Sequence, residues 1–309
     1  GRYQNGHERE FKIMHSMHLR KLLMCDRLSA LRFILSLQLA VLVLLISASA
    51  SAQEPISAES ATQPSPGHFT IKEQLRFMSL DDDRGSRRDS SHVNDLILNS
   101  SLTVGLASDW SLSLRAPLMA RWRDYDRGGT DRAQGIGDVT TLLKWRFYRE
   151  DDGPLNTTRI ALLGGMETRT GDSPFTHDAY NPILGLAATR IMGRHGLNGH
   201  LQRTFPTGRA PDPILPGMST ADVFRYNGAY LYRLHPSAFT AETSGGAWYA
   251  MIEANGTYET NGDHELLLSP GLMYEARTWV FELSVQLPVW REIDHRAKTE
   301  YVLIAGVRF

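Results

Sequence analysis

Charged side chains of opposite sign occupy different parts of this sequence. Guanidinium and ammonium groups that face carboxylates across a channel can hold a water-filled constriction open and orient charged solutes, or they can pair with one another and block it. We call the residues concerned the basic set and the acidic set. The basic set is Arg115, Lys144, Arg146, Arg159, Arg190, Arg225 and Arg233, and the acidic set is Glu253, Glu265, Glu275, Glu282 and Glu300.

The histidines do not predict a catalytic centre. Hydrolysis needs a nucleophile beside a base, or a carboxylate beside a histidine, both held in place. His177 lies near Ser173, His295 follows Asp294, and His200 stands between polar residues. Neighbours of this kind arise by chance among eleven histidines. We therefore expect no catalytic residue, and a hydrolase is the weakest of the alternatives considered below.

Composition excludes several other kinds of site. The one cysteine is Cys25, so a disulfide or a cysteine metal site is excluded elsewhere, and no histidine spacing predicts a zinc site. Residues 1–52 hold seven of the 33 Lys and Arg and three of the 34 Asp and Glu, which leaves the rest with a net charge of −5. We expect no metal, no cofactor and no nucleic-acid partner, since nucleic-acid binding requires a concentrated basic face.

The elements that carry the charged sets alternate apolar and polar residues. Trp279, Phe281, Leu283, Val285 and Leu287 are separated by polar residues, and about twelve segments of roughly ten residues repeat this pattern after residue 68. A period of two places each apolar row on one face of a strand. The length suits strands that cross a bilayer at a tilt.

Short and long connections also alternate along the chain. Residues 105–108, 193–195 and 275–277 are short turns, whereas 79–92, 120–135, 170–182 and 206–221 are long polar loops. Aromatic residues collect near the strand ends, as interfacial girdles do. We predict an all-β fold, an up-and-down antiparallel transmembrane β-barrel of about twelve strands over residues 68–309. Ten or fourteen strands, or a water-soluble sandwich or propeller, are the alternatives.

The two ends of the chain fit a secreted barrel. A basic region, an apolar run over residues 33–46 and small residues up to Ala52 predict an N-terminal extension and secretory signal peptide over 1–52, with cleavage after Ala52. Residues 53–67 predict a flexible lead-in. The last strand must pair with the first because no unpaired edge survives in lipid. Its terminal Phe309 is expected to act as the signal read by the barrel assembly machinery.

One motif resembles a known family. The stretch "GIGDVTTLLKWRF" (135–147) resembles a strand that recurs in the MetA-pathway phenol-degradation family of outer-membrane barrels, and "ETRTGD" (167–172) and "FPTG" (205–208) resemble its loop entries. The resemblance implies an outer-membrane channel for small hydrophobic or aromatic compounds, without catalytic residues. Taken by itself, "GIGD" predicts a loop-to-strand turn in which Asp138 caps or pairs nearby, because a dinucleotide motif needs a helix after it.

We therefore expect a small-molecule channel or transporter in the bacterial outer membrane. Its expected partners are outer-membrane lipid, lipopolysaccharide, the assembly machinery and a small-molecule solute. If the apolar rows face lipid, the charged sets line the lumen, with one basic wall and one acidic wall. Two alternatives remain, a non-conducting structural or surface-binding barrel and an outer-membrane hydrolase.

Overall fold

The structure is a computed structural model that describes residues 53–84, 90–153, 156–238 and 246–309. The predicted extension and signal peptide, with Ala52, lie outside these residues. Within the described part, thirteen strands form one antiparallel sheet. They are β1 (Phe69–Asp82), β2 (Ser91–Ala107), β3 (Trp110–Tyr125), β4 (Thr130–Ile136), β5 (Thr140–Asp151), β6 (Asn156–Glu167), β7 (Asn181–Met192), β8 (His195–Thr204), β9 (Val223–His235), β10 (Ala247–Glu259), β11 (His264–Glu275), β12 (Val280–Glu292) and β13 (Lys298–Arg308).

The sheet closes on itself between its first and last strands. β1 pairs with β13 from Lys72 opposite Arg308 to Asp81 opposite Lys298. Phe309 extends this pairing, because its N–H donates to the carbonyl of Ile71 at 2.8 Å and its carbonyl accepts from the Ile71 N–H at 3.0 Å. The last residue therefore completes the closure.

β4 and β5 share one position in the barrel. β5 pairs with residues 110–115 of β3, and β4 pairs with residues 118–124 of the same strand. Between β4 and β5, residues 137–139 lie opposite only two residues of β3. One of the two is Pro117, which has no N–H to donate to the hydrogen-bond ladder. The barrel therefore has twelve strand positions and the predicted count is confirmed. The predicted long loop over 120–135 is instead mostly the hairpin of β3 and β4.

The outer face of the barrel is apolar and carries aromatic residues at both ends. Leu184, Leu201 and Leu283 are exposed on this face. Trp110 stacks on Trp145 near one end, with ring centroids 5.7 Å apart. Trp248 contacts Tyr274 at the same end. Phe77 contacts Tyr301, and Phe224 contacts Tyr258, toward the other end. An apolar band between aromatic girdles is the surface that a bilayer requires.

The connections differ between the two ends. The end that holds Phe309 and the turns at 108–109, 193–194 and 276–279 is called the short-turn end. The opposite end, with the loops at 168–180 and 205–222, is called the long-loop end. In the part of the chain that the structure describes, no helix is long and apolar enough to span a membrane.

Candidate functional site

Residues 53–64, called the lumen segment, run inside the barrel near its short-turn end. Ile56 is buried among apolar side chains of β9 to β13, and Ala61 is buried against apolar side chains of β6 and β7. The structure corrects the prediction of a flexible lead-in over these residues. Their Ser-, Ala- and Glu-rich composition carries too little apolar surface to predict packing, but the barrel interior supplies polar partners that composition cannot reveal.

Strands β1 and β10 hold Ile56 by its backbone. Its N–H donates to Oε1 of Glu253 on β10 at 2.6 Å, and the N–H of Ser57 donates to Oε2 of the same residue at 3.2 Å. Its carbonyl accepts from Lys72 Nζ at 2.8 Å and from Gln74 Nε2 at 3.0 Å, both on β1. Bonds to a buried carboxylate are stronger than neutral ones, so this is the firmest attachment of the lumen segment.

The rest of the lumen segment is held in the same way. The Ala61 N–H donates to Thr189 Oγ1 at 3.0 Å, and the Ser60 carbonyl accepts from Lys144 Nζ at 2.7 Å. Asn198 Nδ2 donates to the Gln53 carbonyl at 3.1 Å. Side chains of the barrel wall therefore satisfy backbone polar groups along the lumen segment from Gln53 to Ala61.

The carboxylates of the lumen segment neutralise basic residues of the barrel. Glu59 lies 2.7 Å from Arg115 Nη2 and 3.7 Å from Lys144 Nζ. Burial alone would raise the pKa of Glu59, but the charges of Lys144 and Arg115 bring it down to about 2. Glu54 bonds to Arg308 near the short-turn end. Arg115, Lys144 and Arg308 of the barrel wall are thus paired with glutamates of the lumen segment.

Loop 205–222 folds into the mouth of the barrel at the long-loop end. Ile214 is fully buried beside Leu80 of β1 and Val93 of β2. The neighbouring Leu215 packs on a cluster that contains Phe175 from loop 168–180. Two loops therefore narrow the lumen from this end.

Asp138, from the "GIGD" stretch, joins these loops to the barrel. Its carboxylate accepts from the Gly171 N–H and the His177 N–H, both at 2.8 Å. His177 Nδ1 lies 3.2 Å from Asp138 Oδ2, and its Nε2 lies 2.5 Å from the Gly217 carbonyl. A carboxylate and a carbonyl can only accept, so His177 satisfies both as a cation. The capping role predicted for Asp138 agrees with this geometry.

The charges of Asp138 and His177 stabilise each other. Burial lowers the pKa of His177, but the hydrogen bond to Asp138 and the charge of Glu167 outweigh this effect and leave the pKa raised. Burial would raise the pKa of Asp138, and its hydrogen bonds from His177 and neighbouring groups lower it. Each group therefore favours the charged form of the other.

Ion pairs reinforce the long-loop end. Arg121 Nε and Nη2 each lie 2.7 Å from an oxygen of Asp95, and both side chains are buried. The Arg121 guanidinium also lies 5.3 Å from the ring centroid of Phe175. Arg296 is buried against Glu259 and Glu265 on the opposite wall. The first pair contacts loop 168–180 through Phe175, and the second holds the connection 293–297 against β10 and β11.

A cavity of about 490 Å³ lies between the lumen segment and the loops. Residues 54–60 line it on one side, and Leu215 and Gly217 line it on the other. The wall between them is polar on several strands and apolar near the loops. The apolar lining includes Met78, Ile97, Met119 and Leu267. The lumen can therefore hold water and a small solute with an apolar body.

Most of the basic set faces the interior. Arg115, Lys144 and Arg225 line the cavity, and Arg233 is buried. Arg146 is buried at the short-turn end, 3.2 Å from Asp109. Arg159 lies at the same end, 3.7 Å from Asp151.

Arg190 is an exception. The adjacent Thr189 is the inward residue, buried and bonded to Asn198, and Arg190 is exposed. Arg190 shares the parity of Leu184 and Leu186, which face outward. Its position near the strand end lets a long side chain reach water beyond the apolar band, where it bonds to Thr158. The prediction that Arg190 lines the lumen is wrong.

Three glutamates of the acidic set are buried in the interior. Glu253 holds the lumen segment, Glu282 lies 2.7 Å from Lys72 Nζ, and Glu265 lies 3.4 Å from Arg296 Nη2. Glu275 accepts a hydrogen bond from the Tyr249 hydroxyl at 2.9 Å. These partners are not members of the basic set.

Glu300 does not line the lumen. β1 and β13 shift register there, so that Tyr301 pairs with Ser79 while Thr299 pairs with Leu80. Glu300 is the additional residue of this bulge, and its exposed side chain accepts from Ser79 Oγ at 2.8 Å. A bulge reverses the alternation beyond it, which the apolar–polar pattern does not reveal.

Several lumen residues were missed by the sequence analysis. Lys72 and Arg76 alternate with apolar residues on β1 and could have been found by the same period of two. The acidic residues of the lumen segment carried no signal of this kind. The glutamates concerned are Glu54 and Glu59.

The histidines are dispersed rather than assembled into a catalytic set. His200 is buried beside Asn227, His177 bonds to Asp138, and His295 lies 3.0 Å from Asp263. Among the described residues, no group of three or more His, Cys, Asp or Glu is arranged to hold a metal ion.

Several solved structures are similar to this chain. An outer membrane channel from Pseudomonas putida F1 has a TM-score of 0.53 at 12% identity, over 82% of this chain and 98% of that chain. The β domain of the Bordetella autotransporter BrkA gives 0.45 at 13%, over 78% and 98%, and the CymD monoaromatic hydrocarbon channel gives 0.44 at 9%, over 85% and 97%. Among curated proteins, no sequence matches significantly.

A closed antiparallel barrel with an apolar outer band and aromatic girdles is a bacterial outer-membrane protein. The family model described as "Putative MetA-pathway of phenol degradation" matches residues 60–292. This match includes the "GIGD" stretch and most of the strands. The chain therefore belongs to the family of the putative MetA pathway of phenol degradation.

Proposed function

We propose that the chain is an outer-membrane channel for small molecules, including compounds with hydrophobic or aromatic bodies, and that it is not an enzyme. The observation that carries this proposal is the cavity of about 490 Å³ in the lumen. Barrels of about eight strands are just narrow enough for side chains to fill, and the twelve strand positions of this barrel enclose a wider interior. Here the interior contains space, and a separate segment and a loop bound that space.

The chemistry of the cavity wall suits solutes that are partly apolar. Met78, Ile97 and Met119 offer an apolar surface near the loops, while amide and hydroxyl groups line the part of the cavity nearer the lumen segment. Flexible methionine side chains adapt to different shapes. A solute with an aromatic body and one polar group would therefore find both kinds of contact.

Passage requires the lumen segment or loop 205–222 to move. Short turns lie on the periplasmic side of outer-membrane barrels, which would place the lumen segment at the periplasmic exit and loop 205–222 at the outer entrance. The lumen segment contributes no strand to the barrel wall, so it can leave the lumen without unfolding that wall.

Swelling of proteoliposomes in arabinose, glucose and sucrose tests the proposal. The full chain is compared with a variant that lacks residues 53–63. We expect slow swelling with the full chain and faster swelling, graded by solute size, with the variant. A folded variant that admits none of these solutes would favour the non-conducting structural barrel.

Partners other than the solute are proposals as well. Contact with lipid follows from the apolar band, and we expect lipopolysaccharide to contact the long-loop end. The assembly machinery is expected to read the last strand with Phe309. Lipopolysaccharide binding would be lost on replacing the exposed charges of the loops, with no change in solute passage.

A further inference from the structure

Two arginines in the cavity have no carboxylate partner. Arg76 on β1 donates from Nε to Gln74 Oε1 at 2.7 Å, and Arg225 on β9 has a 3.4 Å contact from Nη1 to Thr204 Oγ1. Within the part of the chain that the structure describes, neither guanidinium has a carboxylate oxygen within 4.0 Å. Both line the cavity.

Other basic residues of the cavity are neutralised by the chain itself. Lys72 pairs with Glu282, Arg115 pairs with Glu59, and Arg308 pairs with Glu54. Pairing of opposite charges explains these residues without a ligand. It does not explain Arg76 and Arg225, which carboxylates reach only from a distance. Glu253 and Glu282 attract Arg76, and Glu167 and Glu259 attract Arg225, but none of them contacts either guanidinium, and the two guanidiniums repel each other. Charges taken out of bulk water need a counter-charge or strong hydrogen bonds.

A third donor lies on the strand next to Arg225. His200 is 5% exposed and lines the same cavity. Asn227 Nδ2 lies 3.0 Å from His200 Nδ1, so Nδ1 accepts and Nε2 carries the hydrogen. His200 Nε2 has no hydrogen-bond partner among the described residues. A buried donor that is left unpaired is costly, and an acceptor on a ligand would satisfy it.

Apolar residues lie next to the two guanidiniums toward the long-loop end. Arg76 is followed on the inner face by Met78 and is opposite Ile97 of β2, and Arg225 is two residues from the buried Val223. Leu215 of loop 205–222 lines the same region. Cationic donors and an adjoining apolar surface match a molecule with an anionic head and an apolar body.

We infer that Arg76 and Arg225, with His200, form a binding subsite for small carboxylates whose apolar body contacts Met78, Ile97 and Leu215. The inference rests on the proposed channel function and specifies its solute class. Guanidinium groups bind carboxylates through charge-assisted hydrogen bonds. Neutral compounds of the same shape would lose these bonds and bind more weakly.

Calorimetric titration of the full chain in amphipol with benzoate, and separately with its neutral isostere benzamide, tests the subsite. We expect benzoate to bind at least tenfold more tightly than benzamide. The double variant Arg76→Gln and Arg225→Gln should lose this preference. Arg149→Gln is the matched control, because Arg149 is an exposed arginine outside the cavity and should leave the preference unchanged.

The comparison of benzoate with benzamide needs no variant, so it remains decisive if the double variant does not fold. Equal affinity for the two compounds, or no binding of either, would overturn the subsite. Binding at equilibrium does not require passage through the barrel. Benzoate preference without solute flux would therefore refute the channel and leave the subsite, and flux without benzoate preference would refute only the subsite.

Discussion

Replacing Glu253 with Gln should loosen the lumen segment by a predictable amount. The Glu253 carboxylate accepts from the N–H groups of Ile56 and Ser57, at 2.6 Å and 3.2 Å, and it is 1% exposed. Hydrogen bonds to charged groups contribute about 1.5–3 kcal/mol and neutral ones about 0.5–1.5 kcal/mol. Over two bonds, the neutral amide should cost about 2 kcal/mol. The released state should then be roughly thirtyfold more populated, at tenfold for each 1.4 kcal/mol.

Thiol labelling measures this population. Ala61 is completely buried, and a cysteine there reacts with a maleimide only when the lumen segment leaves its place. Cys25 is the one native cysteine, so Ala61→Cys combined with Cys25→Ser gives a single reporter. We expect the labelling rate to rise roughly thirtyfold, by the same conversion, when Glu253→Gln is added.

Two controls define the result. Glu292→Gln removes an exposed carboxylate at the long-loop end and should not change the rate. Ser65→Cys, at an exposed position, should react fast in every background. If the cysteine at position 61 reacts as fast as the one at position 65 without any further substitution, the lumen segment does not occupy the barrel and the reasoning fails.

Three further predictions concern the loops and the wall. The raised pKa of His177 means that its contribution is full below about pH 6.5, its ordinary value, and is lost as pH rises through the folded pKa. Hydrogen-exchange protection factors at 210–220, which are corrected for the base-catalysed intrinsic rate, should therefore fall at alkaline pH, and a His177→Gln protein whose protection factors fell in the same way would contradict it. Gly165→Ala would place a Cβ 2.1 Å from the Thr141 carbonyl and should reduce the folded fraction on unboiled gels, whereas Gly164→Ala meets nothing within 4 Å and should fold normally. Removing Phe309 deletes both backbone bonds to Ile71 and should lower outer-membrane yield; an unchanged yield would contradict an assembly role.

The barrel could be predicted from sequence because its strands obey one simple rule. Lipid demands an apolar outer row, so Leu283 and its neighbours on β12 alternate visibly with polar residues. The same rule failed at two places where the backbone departed from the period of two. The bulge that includes Glu300 reverses the inward side, and the break after Ile136 divided one strand position into β4 and β5.

The contents of the lumen were much less predictable. Ile56 and Glu253 are 197 residues apart in the chain, and nothing near either residue indicates the other. The lumen segment has the composition of a linker, and its order comes from partners on distant strands. The arginines without carboxylate partners were equally hidden, because the pairing of Lys72 or Arg115 can be known only once the barrel is closed.

Single-channel recording in planar bilayers tests the channel most directly. The full chain and the variant without residues 53–63 are each reconstituted and recorded over a wide voltage range. We predict small discrete steps for the full chain and larger steps for the variant, because removing the lumen segment opens the lumen from the short-turn end. Folded barrels that give no discrete steps in either form would contradict a conducting lumen.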